Sequence, residues 1–164
     1  MRKMPEILFD SCALSNFAFS DSLFILKGLY GHSAFITDFV SGEIMHGIQH
    51  GYSNLKKIQN SLQEGWIREI ALSAKTEKGL FQVLSVSLGL GEASSIAVAK
   101  ARGFLFACDD KTARREAGLL EVRLTGTIGI LKRAVKTKIV SPKNANGILD
   151  KMKACGFYSP VTSL

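Results

Sequence analysis

The chain of 164 residues has little of what marks a secreted, membrane-spanning or zinc-bound protein. It has three prolines and three cysteines, and the spacing of Cys12, Cys108 and Cys155 fits neither a zinc site nor a disulfide framework. No apolar run reaches the roughly 18–20 residues of a membrane span. Glu6 and Asp10 interrupt the apolar stretch that a signal peptide would need. We therefore expect free, mostly buried thiols in a cytoplasmic protein that has no membrane partner.

The chain also lacks internal repeats, low-complexity tracts and any linker rich in Ser, Gly or Pro. Its composition, 46% hydrophobic and 21% charged, is typical of an ordinary soluble globular protein. A chain of this length can bury a substantial single core. We predict one domain over residues 1–164.

Positive charge is unevenly distributed along the sequence. The formal net charge is +7, but residues 1–99 carry a balance of −1 and residues 100–164 a balance of +8. A basic half favours polyanionic partners such as nucleic acid. The alternative is that the excess of lysine and arginine serves solubility alone.

Short apolar runs alternate with segments of helical periodicity along most of the chain. The predicted strands cover residues 7–9, 33–37, 66–72, 104–108 and 121–126. Helices are predicted between them, over residues 127–136 and after residue 141, with Asp21 as a cap for a second helix after the first strand. Strands that are apolar throughout and separated by helices indicate an α/β fold with a parallel sheet covered on both faces.

Acidic residues follow the predicted strands. Asp10 comes directly after the first strand, and Asp109 and Asp110 come directly after the strand at 104–108. Glu43 lies in the helix after the second strand, and Glu92 lies in the first turn of the helix that precedes the fourth. In parallel α/β folds the site lies beyond the carboxyl ends of the strands. The five carboxylates could therefore meet in one cleft.

Carboxylates that gather without cations destabilise one another unless a divalent metal neutralises them. Mg²⁺ and Mn²⁺ prefer oxygen ligands, and such a site polarises a phosphodiester and activates a water molecule for attack. The alternative is that each acid has an ordinary role. Asp10 and the Asp109–Asp110 pair could cap helices, and Glu43 and Glu92 could be solvated helix residues.

Two further features are candidates for binding. Arg114 and Arg115 follow the acidic pair by one helical turn, where they could clamp a phosphate or form a solvated helix face. His46 and His50 have the i, i+4 spacing that zinc sites use. Gly47 interrupts that helix and no third ligand is near in sequence, so we interpret both as exposed histidines.

Three blocks of the sequence resemble the PIN-domain nucleases, and together they cover most of the chain. They are ILFDSCALSNFAFSD, ITDFVSGEIMHGIQHG and LGLGEASSIAVAKARGFLFACDDKTARREAGLLEVRLTGTIGILKRAVKTKIVS. The third block is the specific one. Its GEA-start helix, strand, DD-x-x-AR turn and TGT-x-G-x-L helix resemble one bacterial and archaeal subgroup of the family.

This resemblance implies a three-layer α/β/α sandwich, Mg²⁺ or Mn²⁺, and hydrolysis of RNA. Many small single-domain members are the toxin halves of toxin–antitoxin pairs and form dimers, so a homodimer and an antitoxin partner are expected. A non-catalytic RNA- or protein-binding module of the same fold is the alternative.

The resemblance also assigns residues. Asp10, Glu43, Glu92 and either Asp110 or Asp109 correspond to the catalytic acids that hold the metal, and Ser11 corresponds to a small hydroxyl residue that we expect to contact substrate. The family often has aspartate at the position of Glu92, and the choice between Asp109 and Asp110 stays open.

Overall fold

A computed structural model describes residues 4–164. Its centre is a sheet of five parallel strands in the order β3-β2-β1-β4-β5. The strands are β1 (Ile7–Phe9), β2 (Ala34–Thr37), β3 (Ile67–Ile70), β4 (Leu105–Ala107) and β5 (Leu124–Thr125).

Helices connect the strands and cover the sheet. They are α1 (Ser11–Phe19), α2 (Leu23–Tyr30), α3 (Asp38–Gln49), α4 (Lys56–Glu64), α5 (Lys75–Leu84), α6 (Leu90–Arg102), α7 (Lys111–Leu119), α8 (Thr127–Lys136) and α9 (Pro142–Ala154). A short 3₁₀ turn at Ser53–Leu55 precedes α4. Within residues 4–164, no helix combines the length and the apolar character needed to cross a membrane.

The strands are apolar throughout because helices cover both faces of the sheet. Successive side chains of a strand point to opposite faces. Ile7 and Phe9 accordingly belong to one buried cluster with residues of α1, α2, α8 and α9, while Leu8 belongs to a second cluster with residues of α6 and α7. All three side chains of β1 are fully buried. The predicted α/β/α sandwich is confirmed.

The topology places a crevice beside β1. The chain runs from β1 outward to β2 and β3, and then returns to β4 on the other side of β1 before it continues to β5. In open α/β sheets a ligand binds at such a switch point, outside the carboxyl ends of the strands. Phe9 pairs with Ala107 in register, so the residues after β1 and after β4 emerge side by side.

Two expectations from the sequence are wrong. Asp21 does not cap α2, whose N-cap residue is Ser22; Asp21 lies in the preceding turn with φ 55°. The thiols are free but are not mostly buried, since Cys12 and Cys155 are exposed and Cys108 is buried. Cys12 lies in the first turn of α1 and Cys155 directly follows α9. The sequence around each cysteine does not show whether its side chain faces the core or the solvent.

Candidate metal centre

Asp10 lies at the centre of the acidic group. It directly follows β1, is 2% exposed, and caps α1 by accepting a hydrogen bond from Ala13 N to Oδ1 at 2.7 Å. Burial raises the pKa of Asp10 to about 7, and the negative charges of Asp109 and Glu92 add to the rise. The carboxyl group is therefore held where its ionised form is costly unless a cation is close.

Glu92 and Cys108 complete the buried part of the centre. One carboxylate oxygen each of Asp10 and Glu92 and the Cys108 Sγ all lie within 4.8 Å of one another. Burial raises the pKa of Glu92, and the charges of Asp110 and Glu43 raise it further. Burial also raises the pKa of the Cys108 thiol, and the negative charge of Asp10 raises it further. The sequence had not indicated Cys108 as part of the site.

Glu43 is held by two hydrogen bonds from other elements. Its Oε2 accepts from Ser11 Oγ at 2.6 Å, and its Oε1 accepts from Gly91 N at 3.1 Å. A Cβ atom at residue 91 would lie 2.5 Å from Glu43 Oε1. The close approach of the carboxylate to the first turn of α6 therefore requires glycine. The Ser11 hydroxyl, predicted to contact substrate, orients Glu43.

Asp109 is fixed at the N-terminus of α8. Its Oδ1 accepts from Thr127 N at 2.9 Å, and its Oδ2 accepts from Thr127 Oγ at 2.5 Å and, at 3.4 Å, from Asn16 Nδ2. A Cβ atom at Gly126 would lie 2.6 Å from Asp109 Oδ1. These contacts hold the Asp109 carboxylate in one orientation, and neither Asn16 nor Thr127 was singled out from the sequence.

Asp110 lies on the exposed side of the group. Its Oδ1 accepts a hydrogen bond from Ala113 N at 2.8 Å and caps α7. Its charge raises the pKa of Glu92, whereas the charge of Asp109 raises the pKa of Asp10. The two neighbours thus act on different corners of the centre, and the five predicted acids lie at one edge of the sheet.

The two arginines differ. Arg114 Nη1 donates to the carbonyl oxygens of Cys108 at 2.7 Å and Thr125 at 2.9 Å, so its guanidinium ties the end of β4 to the end of β5. Arg115 is exposed on α7. His46 and His50 are exposed, as interpreted from the sequence, with ring centroids 4.1 Å apart.

Comparison with known families identifies the fold. The family model DUF3368, described as a PIN domain, matches residues 6–164. The chain belongs to the PIN-domain family. The crystal structure of PAE2754 from Pyrobaculum aerophilum is similar to this PIN domain with a TM-score of 0.53 and 17% sequence identity, over 80% of this chain and 98% of that chain. No curated protein matches the chain.

The donor set of this PIN domain fits a hard divalent cation. PIN domains are generally metal-dependent nucleases. Carboxylate oxygens of Asp10 and Glu92, which Mg²⁺ and Mn²⁺ prefer as ligands, converge there with the Cys108 Sγ, and burial disfavours the thiolate form of Cys108 that would suit a softer metal. None of the ion pairs formed among residues 4–164 involves Asp10, Glu43, Glu92, Asp109 or Asp110. The centre therefore gathers negative charge without a protein cation to neutralise it.

A cleft of about 1280 Å³ opens beside these acids. Glu43, Asp109 and Asp110 line one end of it, together with Lys111 and Arg114. The PIN-domain centre is thus open to a large ligand on one side, while Asp10 remains buried on the other.

Proposed function

We propose that this protein is an endoribonuclease that hydrolyses RNA phosphodiester bonds with Mg²⁺ or Mn²⁺. The observation that carries the proposal is the buried Asp10 carboxylate, which has a Glu92 oxygen within 4.8 Å and forms no ion pair in the described part of the chain. A buried carboxylate beside a half-buried one is costly unless a cation is bound between them.

Each acid has a distinct place in the proposed reaction. Asp10, Glu92 and Asp110, with Asp109 beside them, would hold the ion. A bound Mg²⁺ or Mn²⁺ would polarise the phosphodiester and activate a water molecule. Glu43, held by Ser11 and Gly91, is oriented at the cleft to accept a proton from that water.

RNA is the proposed polyanion because the cleft lies beside the basic part of the chain. Residues 100–164 carry a balance of +8, and exposed Lys111 lines the cleft while exposed Arg115 lies on the same helix. The two cations lie one helical turn apart on α7, directly after Asp110, where they would contact phosphates next to the acids. Arg114, predicted to bind substrate as well, lines the cleft, and its Nη1 holds the strand ends.

We further propose that the protein acts in the cytoplasm as a homodimer and as the toxin of a toxin–antitoxin pair. Support for a protein partner comes from exposed apolar side chains, since Val83 is 69%, Val86 88% and Leu90 51% exposed. Apolar groups that lie close along a chain and face solvent mark interaction surfaces.

Substitution of Asp10 tests the nuclease. Asparagine caps helices as well as aspartate does, so Asp10→Asn should keep the fold while it abolishes cleavage of a single-stranded RNA in Mg²⁺ or Mn²⁺. Asp150→Asn, which changes an exposed acid on α9, is the matched control and should cleave normally. If the wild-type chain binds RNA but does not cleave it, whichever divalent metal is added, the alternative of a binding module holds instead.

A further inference from the structure

The cleft continues from the acids to an aromatic end, along one face of α1. Ser11, Ser15 and Phe19 line the cleft and follow one another at intervals of four residues, which places them on the same side of the helix. Ser11 bonds to Glu43 at the acidic end. At about 1.5 Å per residue, Phe19 lies about 12 Å farther along the helix axis.

Aromatic side chains line the far end of the cleft, and Tyr52 lies next to Phe19. The ring centroids of Phe19 and Tyr52 are 6.3 Å apart with the planes tilted. Phe157 and Tyr158, from the segment after α9, line the same cleft, and Cys155 Sγ at the start of that segment lies 4.0 Å from Phe19 O. Tyr52 is 59% and Tyr158 89% exposed, so both rings offer a free surface.

The size of the cleft and the lining between its ends restrict the ligand. A pocket for one small ligand has a volume of roughly 300–1,000 Å³, and this cleft of about 1280 Å³ is larger. The lining is mixed, because the polar Ser15 and Asn16 of α1 interrupt a surface that also includes the apolar Ile44, Leu55 and Ile128. An amphipathic peptide helix would need a continuous apolar groove, whereas a strand of RNA has polar sugars and phosphates as well as aromatic bases.

We propose that the aromatic end is a subsite for unpaired nucleobases, which stack on Tyr52 and Tyr158 while the phosphodiester of the same strand lies at the acids. The inference rests on the proposed function for the identity of that strand. Stacked nucleotides advance by about 3.4 Å each, so a separation of about 12 Å corresponds to roughly three nucleotides. Only single-stranded or splayed bases present their faces to such rings.

The test measures binding without cleavage. Fluorescently labelled single-stranded RNAs of two to eight nucleotides are titrated in EDTA and followed by anisotropy. Tyr52→Ala and Tyr158→Ala should each weaken binding of the longer strands about fivefold or more, the loss of one stacked base, and should leave the dinucleotide unaffected. Tyr52→Phe, in contrast to Tyr52→Ala, should bind like the wild type, because the ring alone stacks. Phe24→Ala removes an aromatic ring that is 52% exposed outside the cleft and should change nothing.

An abasic nucleotide scanned along the strand gives a second readout. At the position that stacks on Tyr52 it should weaken binding of the wild type as much as Tyr52→Ala does, and it should cause no further loss in that variant. The slope of log Kd against log salt should stay the same in Tyr52→Ala, because stacking releases no counterions.

The outcomes separate this inference from the nuclease proposal. Three results would overturn the subsite. Both tyrosine variants could bind strands of every length as tightly as the wild type, they could lose the same affinity at every length, or the wild type could fail to bind single strands. Each would do so even if Asp10→Asn abolishes cleavage. If the tyrosine variants lose affinity only for the longer strands and the wild type cleaves no RNA, the subsite is supported and the nuclease proposal is wrong.

Discussion

Asp10 and Asp110 both cap helices, and their caps leave room for the metal-site role that the sequence presented as the alternative. Each accepts the capping hydrogen bond of a helix on Oδ1 alone. An ionised carboxylate has two oxygens and about four acceptor sites, so capping leaves Oδ2 for other contacts. A helix cap at a strand end is therefore compatible with a metal-site role, and sequence patterns alone could not distinguish the two.

The residues that the sequence did not reveal act through tertiary contacts. Asn16 and Thr127 lie 111 positions apart, yet Asn16 Nδ2 donates to Thr127 Oγ at 3.1 Å next to Asp109. Gly91 lies inside α6, where its missing side chain makes room for Glu43, and nothing in the sequence indicated that contact. Asp10, Asp109, Asp110 and Glu92 have a local signal, because each follows a strand or lies in the first turn of a helix, whereas Glu43, inside α3, and the residues that support the acids have none.

At the residue scale, Asp10 should make the metal-free protein less stable at high pH. Its folded-state pKa of about 7 is raised above the ordinary 3.8, so folding favours the neutral form and stability falls as pH rises from about 4 through 7. Asp10→Asn stays neutral. In EDTA the variant should match the wild type near pH 4 and exceed it at pH 8, by up to a few kcal/mol.

Urea unfolding at the two pH values measures this difference, with Asp150→Asn as a control that should follow the wild type. Equal stability of Asp10→Asn and the wild type at pH 8 would contradict the assigned rise in the pKa of Asp10.

Gly91→Ala should separate activity from stability. The added methyl group would lie 2.5 Å from Glu43 Oε1 and push the flexible glutamate away from its two donors. Alanine favours a helix over glycine by about 1 kcal/mol, so the melting temperature should stay near the wild-type value while kcat falls about tenfold or more. Gly79→Ala is the matched control on α5, where nothing lies within 4 Å of the new Cβ, and it should retain full activity.

At the element scale, local patterns predicted the helices and strands more accurately than their arrangement. The predicted strand 7–9 and helix 127–136 agree with β1 and α8 to the residue. The predicted strand 66–72 is longer than β3, Ile67–Ile70, because pairing with the four residues of β2 sets its length. The order of the strands did not follow from the sequence, since apolar runs such as β1 and β4 carry no signal that selects a neighbour.

Arg102 and Glu77 join α6 to α5 away from the metal centre. Arg102 Nε donates to Glu77 Oε1 at 2.8 Å, and the Glu77 side chain is 3% exposed. The hydrogen bonds from Arg102 hold the pKa of Glu77 at about 2, below its ordinary 4.5. This pair therefore contributes stability above pH 4.5 that is lost as pH falls towards 2.

Arg102→Met should leave the Glu77 carboxylate buried without its partner and lower the free energy of unfolding at pH 7 by about 2 kcal/mol or more. Denaturant unfolding from pH 7 to pH 3 measures the effect, and the difference between variant and wild type should narrow towards acid. Lys27→Met breaks an exposed ion pair with Glu64 and should change stability by less than about 1 kcal/mol. A similar loss in both variants would argue against a special role for the buried carboxylate.

At the scale of the whole molecule, the uneven charge of the sequence becomes a difference between two sides of the sheet. The strand order places β4 and β5 together at one side of β1, and residues 100–164 carry the +8 balance. α8 follows β5 in the chain, packs on α2 and α9, and exposes Lys132 and Lys136. The acids thus lie at the border between a nearly neutral part and a basic part of the chain.

The basic side should determine how strongly RNA binding depends on salt. Neutralising Lys132 and Lys136 together by glutamine should lower the slope of log affinity against log salt by about 1.4, since each contact to single-stranded RNA contributes about 0.7. The control replaces Lys75 and Lys78, exposed on α5, and should leave the slope unchanged. Anisotropy titrations from low to moderate salt decide between them, and equal slopes in both double variants would show that RNA does not contact α8.

The face of α1 that lines the cleft limits how related sequences can differ in this region. α1 carries groups at both ends of the cleft, from Ser11 to Phe19, on a single helical side. Insertion of one residue into a helix rotates everything beyond it by about 100°. The side chains beyond the insertion would then face away from the cleft. Related chains can therefore lengthen or shorten this distance only by about a full helical turn at a time, so the length of the cleft should differ between relatives in discrete steps.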